Sequence, residues 1–306
     1  MEYRILKYFL TVAREENITR AAEVLHISQP ALSRQLMQLE EELGVRLFRR
    51  GRHNTSLTDE GMLLRRRAQE FGDLTEKTER DFRDGAETVG GVVSVGSGEA
   101  DTTRTLGRLM RSFSELYPGV KFELFSNNAD YIKERLERGT LDIGVLLGPM
   151  DLPHYDRIEL PGRERWGALI PASNPLAQKA CVTKEDLLGM RILMAKRGVS
   201  QGIADWFGED FERLDIYVVY NLLYNAAMLV DCGMGAALTI EGAVSLYRNP
   251  NIVFRPLQPE LSVTSALVWK SRQPMSRAVA KFIAFAREKL GECALSALPG
   301  QPQQNR

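Results

Sequence analysis

The sequence predicts an α/β protein in three consecutive parts: a helical head carrying a winged helix-turn-helix, one long connecting helix, and a two-lobed α/β region. Three observations carry that prediction. Within residues 28–44, Leu32, Leu36, Leu39 and Leu43 recur at helical spacing, and the front of the same segment holds amide, hydroxyl and guanidinium groups with no carboxylate. From Thr58 onward, Leu64, Ala68, Phe71, Thr75, Thr78 and Phe82 step by four and three alternately, the mark of one long helix with a packing seam. After Val92, short apolar runs alternate with amphipathic helices, which reads as strands of a parallel sheet joined by right-handed crossovers.

Composition bounds the problem without deciding it. The chain has 306 residues, 44% apolar and 26% charged, enough for two or three domains with cores of their own. Lys plus Arg and Asp plus Glu are both 40, so any case for a nucleic-acid partner must come from local placement. Cys181, Cys232 and Cys293 are far apart, with no CxxC or Cys/His cluster, which fits a reducing compartment and supports neither a disulfide framework nor a metal site. The N-terminal stretch mixes charges into its apolar pattern and no run approaches a membrane span, so a cytoplasmic protein with no membrane partner is expected.

In order along the head, Ile5, Leu6, Phe9, Val12 and Ala13 mark a first helix, and 19–25 a second whose Ala21 and Ala22 let another helix cross closely. His26 and Ile27 form the turn. The third helix starts at Ser28, a good N-cap, with Pro30 tolerated in its first turn, and stops at Gly44. Gln29, Pro30, Ser33, Arg34 and Met37 project away from the leucine face, side chains of the kind that read base edges. Glu40, Glu41 and Glu42 are confined to the last turns, so only the front half can approach DNA. Residues 47–50 and 55–57 alternate like a two-stranded wing around 51–54, and Arg49, Arg50 and Arg52 cluster there, suited to phosphate or minor-groove contact. Each residue also has a plainer use: Pro30 starts a helix, His26 fills a turn, and an arginine cluster is commonly a solvated face.

The run NITRAAEVLHISQPALSRQLMQLEEELGVRLFRR, followed by LTDEG at 57–61, resembles the winged helix-turn-helix of LysR-type bacterial transcriptional regulators over about the first 60 residues without a gap. The ordered set Ala21-Ala22, Leu25, Ser28 to Ser33, Leu39-Glu40, Leu43-Gly44, Leu47-Phe48, Leu57-Thr58 and Gly61 carries it. The resemblance implies Gln29, Pro30, Ser33 and Arg34 in the major groove and Arg50 and Arg52 along the backbone; Thr19, Arg20, Ser28, Met37 and Arg49 complete the candidate DNA-binding set. It implies double-stranded DNA with a pseudo-palindromic promoter site, a small-molecule effector, a homodimer or homotetramer and RNA polymerase as partners, and no cofactor.

Thr58 caps the connecting helix, with Asp59 and Glu60 in its first turn. Its stripe, Leu64, Ala68, Phe71, Thr75, Thr78 and Phe82, packs either on the chain's own core or on another subunit; the resemblance implies the second. Beyond it, 92–96, 120–125 and 141–148 are strands separated by helices around Leu106–Leu116 in sequence and 131–139. A second round runs through strands at 166–171, 191–195, 215–220 and 236–240, with helices at 182–189, from about Gln201, and at 226–233. A strand at 263–270 and a helix at 278–290 follow. SELYPGVKFEL, LERGTLDIGVL and LVDCGMGAALTI look like the effector-binding domain of the same family, which is similar to periplasmic binding proteins. The expected domains are therefore 1–58 (helix-turn-helix about 18–37), 59–89, and 90–292, the last with lobe I at 90–162 and 266–292 and lobe II at 163–265. Crossings are expected near 160–165 and 261–267, and a flexible tail over 293–306.

Ligands in such sheets sit at the carboxyl ends of strands. That selects Ser97, Gly98, Asp101, Thr102, Leu147, Gly148, Lys196, Arg197, Val199, Ser200, Gln201, Asn221, Thr239 and Glu241 as candidate effector-binding residues. Ser97, Thr102 and Ser200 serve equally well as helix caps. Lys196 and Arg197 favour an anion, whereas Glu99 and Asp101 oppose one. Gly198-Val199-Ser200-Gln201-Gly202 matches GxSxG, but no histidine follows His154, which excludes a hydrolase of that chain order. No dinucleotide or phosphate-loop fingerprint and no metal-ligand spacing is present, so an enzyme is not expected. A solute-binding or sensory module with a vestigial DNA-binding head is the alternative reading.

Overall fold

The computed structural model describes residues 2–50, 55–82, 89–148, 152–196, 202–245 and 247–296, apart from the side chains of 50, 80–82 and 292–296. The chain divides into two compact units, Met1–Phe82 and Arg83–Arg306.

The first unit contains α1 (Tyr3–Glu15), α2 (Ile18–Val24), α3 (Gln29–Leu43), β1 (Phe48–Arg50), β2 (Thr55–Leu57) and α4 (Asp59–Phe82). Phe9, Val12, Ala21, Leu32, Leu36, Leu39 and Leu47 form its core. Asn17 caps α2 by accepting from the Arg20 amide at 3.0 Å. His26 turns the chain into α3 at a left-handed φ of 54°, and Gly44 ends α3 at φ 68°. Strands β1 and β2 pair antiparallel, Phe48 opposite Leu57.

Three expectations are corrected here. Ser28 stands at the N-cap of α3 but its hydroxyl caps nothing. Leu43, the last residue of α3, is 40% exposed, whereas Glu40 one turn earlier is buried. The Glu40 carboxylate, 6% exposed, accepts from the amides of Leu47 at 2.7 Å and Phe48 at 3.1 Å and pairs with Arg46 at 3.1 Å, tying the end of α3 to the start of the wing. Leu64 and Ala68, assigned by sequence to a subunit seam, pack into the head's own core. The seam residues that stay outside are Phe71, whose ring lies 5.5 Å from that of Tyr3, and Thr78; Thr75 is partly covered. Leu63 and Leu74, also exposed, belong to the same side of α4 as Phe71. Gly61 is required by packing: a Cβ there would stand 2.2 Å from the Leu47 carbonyl oxygen.

The second unit runs β3 (Gly90–Ser97), α5 (Thr102–Leu116), β4 (Gly119–Ser126), α6 (Ala129–Glu137), β5 (Ile143–Leu147), β6 (Tyr155–Pro171), α7 (Lys184–Leu188), β7 (Arg191–Ala195), α8 (Ile203–Phe207), β8 (Asp215–Tyr220), α9 (Leu223–Asp231), β9 (Ala236–Ile240), α10 (Glu241–Val244), β10 (Ile252–Pro256), β11 (Ser262–Lys270) and α11 (Arg277–Ser296). Its strands join in the order β4-β3-β5-β11-β6-β9-β7-β8, with β10 also on β6. The parallel sets are β4-β3-β5 in one lobe and β8-β7-β9 in the other.

Sequence reading placed only 166–171 in the sixth strand and missed β10. Strand β6 instead spans 17 residues: its first part pairs with β11 and its last with β9 and β10, so one strand serves both lobes. The pairing with β11 shifts register between Glu164 and Leu160, a bulge holding Gly162 at φ 100°, where the strand leaves one lobe for the other. Helices cover both faces of each parallel set. In lobe I, Phe113 and Phe282 pack edge-on at 5.2 Å on one face, and Ile132 and Leu136 lie on the other. In lobe II, Ile203 and Phe207 pack opposite the α9 residues Ala226, Ala227 and Val230. The tail expected from 293 begins inside α11, which continues to Ser296; 297–306 lie outside the described residues.

Candidate nucleic-acid interface and ligand cleft

On α3, the leucine face fixes which side chains look outward. Ser28, Gln29, Pro30, Arg34 and Met37 are exposed and Ser33 is partly so. They hold one another loosely: Gln29 Nε2 donates to Ser33 Oγ at 2.9 Å, and Arg34 Nε reaches the Pro30 carbonyl at 3.4 Å. Bonds of this kind, at the surface and between near neighbours, are readily exchanged for base or phosphate partners. Thr19 and Arg20 are exposed on α2, with the Arg20 guanidinium 3.0 Å from Glu15. Arg49 is exposed on β1; the Arg50 side chain and Arg52 lie outside the described residues.

In the second unit a cavity of about 420 Å³ lies between the lobes. Six of the candidate residues line it: Ser97, Gly98, Leu147, Gly148, Asn221 and Thr239. Four do not. Asp101 is exposed and paired with Arg104 at 2.6 Å, and Glu241 is held by Arg165 through two bonds of 2.9 and 3.0 Å. Thr102 is buried at the start of α5, where its amide donates to Glu164 at 3.2 Å while its hydroxyl has no partner. Lys196 is exposed, and its backbone amide donates to the Tyr220 carbonyl at 2.9 Å. Arg197, Val199, Ser200 and Gln201, and with them the GxSxG match, lie outside the described residues.

Sequence reading missed the apolar wall, Ile132, Val145, Trp166, Leu223, Ile240 and Leu261, and the carboxylate Glu164; it named Glu99 as opposing an anion but not its contact with the other lobe. Glu99, from lobe I, lines the cavity and accepts from the Leu223 amide at the N-terminus of α9 in lobe II. Burial pushes its carboxyl above the ordinary range, against the pull of the Leu223 and Tyr224 amides. Glu164, buried at the crossing in β6, accepts from the Thr102 amide of lobe I and from the Gly242 amide of lobe II, both at 3.2 Å. Its carboxyl is likewise raised by burial, with the Thr102, Asp101 and Gly242 amides acting in the opposite direction. Gly242 has to be glycine for this contact, since a Cβ would lie 2.3 Å from Glu164 Oε2 and from the Asp101 nitrogen. Tyr220 donates to the Leu238 carbonyl at 2.8 Å, and burial lifts its phenol above the usual tyrosine value. Among the described residues no group of His, Cys, Asp and Glu is placed to hold a metal, and no helix is long and apolar enough to cross a membrane.

Residues 3–62 match the family model "Bacterial regulatory helix-turn-helix protein, lysR family", and residues 86–291 match "LysR substrate binding domain". The chain is 30% identical over 300 residues to the Hca operon transcriptional activator HcaR of Escherichia coli (strain K12), covering 95% of this chain and 98% of that protein. It is 31% identical over 275 residues to the uncharacterized HTH-type transcriptional regulator YybE of Bacillus subtilis (strain 168), covering 88% and 92%. Among solved structures, full-length CbnR complexed with its target DNA superposes with a TM-score of 0.72 at 25% identity, over 94% of this chain and 99% of that one.

Proposed function

The chain belongs to the LysR family of transcriptional regulators, with a helix-turn-helix DNA-binding domain and an effector-binding domain, and we propose that the front of α3 is where it reads DNA. Gln29, Pro30, Ser33 and Arg34 enter the major groove, with Met37 and Ser28 beside them. Thr19, Arg20, Arg49, Arg50 and Arg52 follow the phosphates. The observation that carries this reading is the exposed front of α3, free of carboxylate and set on a core of Leu32, Leu36 and Leu39. CbnR, a neighbour of the same fold, was solved on its target DNA, which supports the same use of this head.

In this reading residues 1–58 form the DNA-binding head, 59–89 the connecting helix and 90–292 the effector domain. The protein works in the cytoplasm as a homodimer or homotetramer. Two heads meet a pseudo-palindromic promoter site, and RNA polymerase is the partner through which occupancy is felt. The subunit contact uses the exposed Leu63, Phe71, Leu74 and Thr78 side of α4. A small effector in the interlobe cavity shifts the balance between subunit arrangements. The protein carries out no catalysis. A solute-binding module with a vestigial head is not favoured, since residues 3–62 retain the family's helix-turn-helix.

The test is binding of the full chain to the DNA upstream of its own gene, against a scrambled duplex, across a salt series. Retention of a large preference for the upstream DNA as salt weakens both complexes supports the reading. Equal affinity for the two duplexes overturns it.

A further inference from the structure

We infer that the interlobe cavity takes an uncharged, largely apolar small molecule and discriminates against carboxylates, because Glu99 already occupies the position an anionic ligand would use. The inference rests on the cavity being the effector site. The N-terminus of α9 opens onto the cavity at Leu223, and the free amides and dipole of a nine-residue helix would attract an anion there. That place is taken: the Glu99 carboxylate crosses from lobe I and accepts the Leu223 amide. A second carboxylate brought to the same spot would meet a like charge in a partly desolvated site.

The other walls agree. Asp205 is the second acid at the cavity, and among the described lining residues there is no Lys, Arg or His to offset an anion. Lys196, the candidate cation nearest in sequence, is exposed and does not line it. Ile132, Val145, Trp166, Ile240 and Leu261 present apolar surface, and Asn128 and Thr239 offer hydrogen bonds without charge. A cationic ligand gains little, because the Glu99 carboxylate is engaged by the Leu223 amide and Asp205 is exposed, where solvent screens its pull.

The experiment titrates the full-length protein, without DNA, with three probes of one shape: naphthalene-2-carboxamide, naphthalene-2-carboxylate and naphthalene-2-carboxamidine. Calorimetry should show the carboxamide binding at least about tenfold more tightly than either ion. In Glu99→Gln, whose amide oxygen still accepts the Leu223 amide, the carboxylate should close to within about threefold of the carboxamide. The wild-type ratio stands as a test even if that variant does not fold. Tightest binding by the carboxylate overturns the inference while supporting an effector cleft, tightest binding by the carboxamidine overturns it in the same way, and no binding by any probe counts against both. None of these results bears on operator binding, which is measured separately.

Discussion

Helix α3 begins in the open and α9 begins against a partner. At the start of α3 the Ser28 hydroxyl caps nothing, no acidic residue lies in the first turn, and the Gln29 and Arg34 side chains bond to Ser33 and to the Pro30 carbonyl on the same helix. At the start of α9, a glutamate from 124 residues away in the chain meets the first amide. Both are helix N-termini whose first amides have no acceptor within their own helix, at the positive end of a helix dipole. One is left for a polyanion to complete from outside. The other is completed within the fold, and α5 repeats the solution, its Thr102 amide satisfied by Glu164. An N-terminus therefore announces an anion site only when the chain has not already supplied the anion.

Substitutions at these places can break the contrast, the largest effect first. Gly242→Ala drives a methyl group into Glu164 and the Asp101 backbone, and should cost about 2–3 kcal/mol of effector-domain stability by chemical denaturation, leaving the head intact. Glu99→Ala leaves the Leu223 amide without its acceptor and should cost about 1–2 kcal/mol in the same assay. Glu164→Gln tests the raised carboxyl through pH. The folded chain holds that proton more tightly than the unfolded chain, so the contribution is fully present below the ordinary value of 4.5 and is lost as pH rises through the raised one. The melting temperature of wild type relative to Glu164→Gln should therefore fall as pH increases from 4.5 toward neutrality. Ser28→Ala, at the uncapped start of α3, should change stability by less than about 0.5 kcal/mol, whereas an N-cap serine that bonds its helix costs about 1 kcal/mol when removed. A larger loss at Ser28 than at Glu99 would reverse the contrast.

The head was legible in the sequence because its signals are local. Leucine spacing and Gly44 lie on the helices they build or bound, and Gly61 sits in the motif that carries the family resemblance. The alternating strands and helices of the second unit were legible for the same reason. The carboxylates were not: Glu40 looks like the first of three surface acids, and its partners are backbone amides seven and eight residues on. Glu164 and Glu99 meet amides 62 and 124 residues away, which no spacing rule reaches. The first part of β6 escaped because Asp156, Arg157, Glu159, Arg163 and Arg165 give it a polar reading, although hydrogen bonding to β11 makes it a strand. Of the candidate cleft residues chosen at strand ends, Ser97, Gly98, Leu147, Gly148, Asn221 and Thr239 line the cavity. Strand ends do converge on the cavity, but Asp101 and Glu241 turn away to Arg104 and Arg165.

The proposal at the centre of the account, that the front of α3 reads DNA, is tested most directly by footprinting wild type and Ser33→Ala/Arg34→Ala side by side on the DNA upstream of the gene. Both side chains lie on the outer surface of α3, away from the leucine core, so circular dichroism and thermal stability should match wild type. The protected site should disappear at protein concentrations about a hundredfold above those that protect it in wild type. An unchanged footprint from a folded double variant would contradict the account.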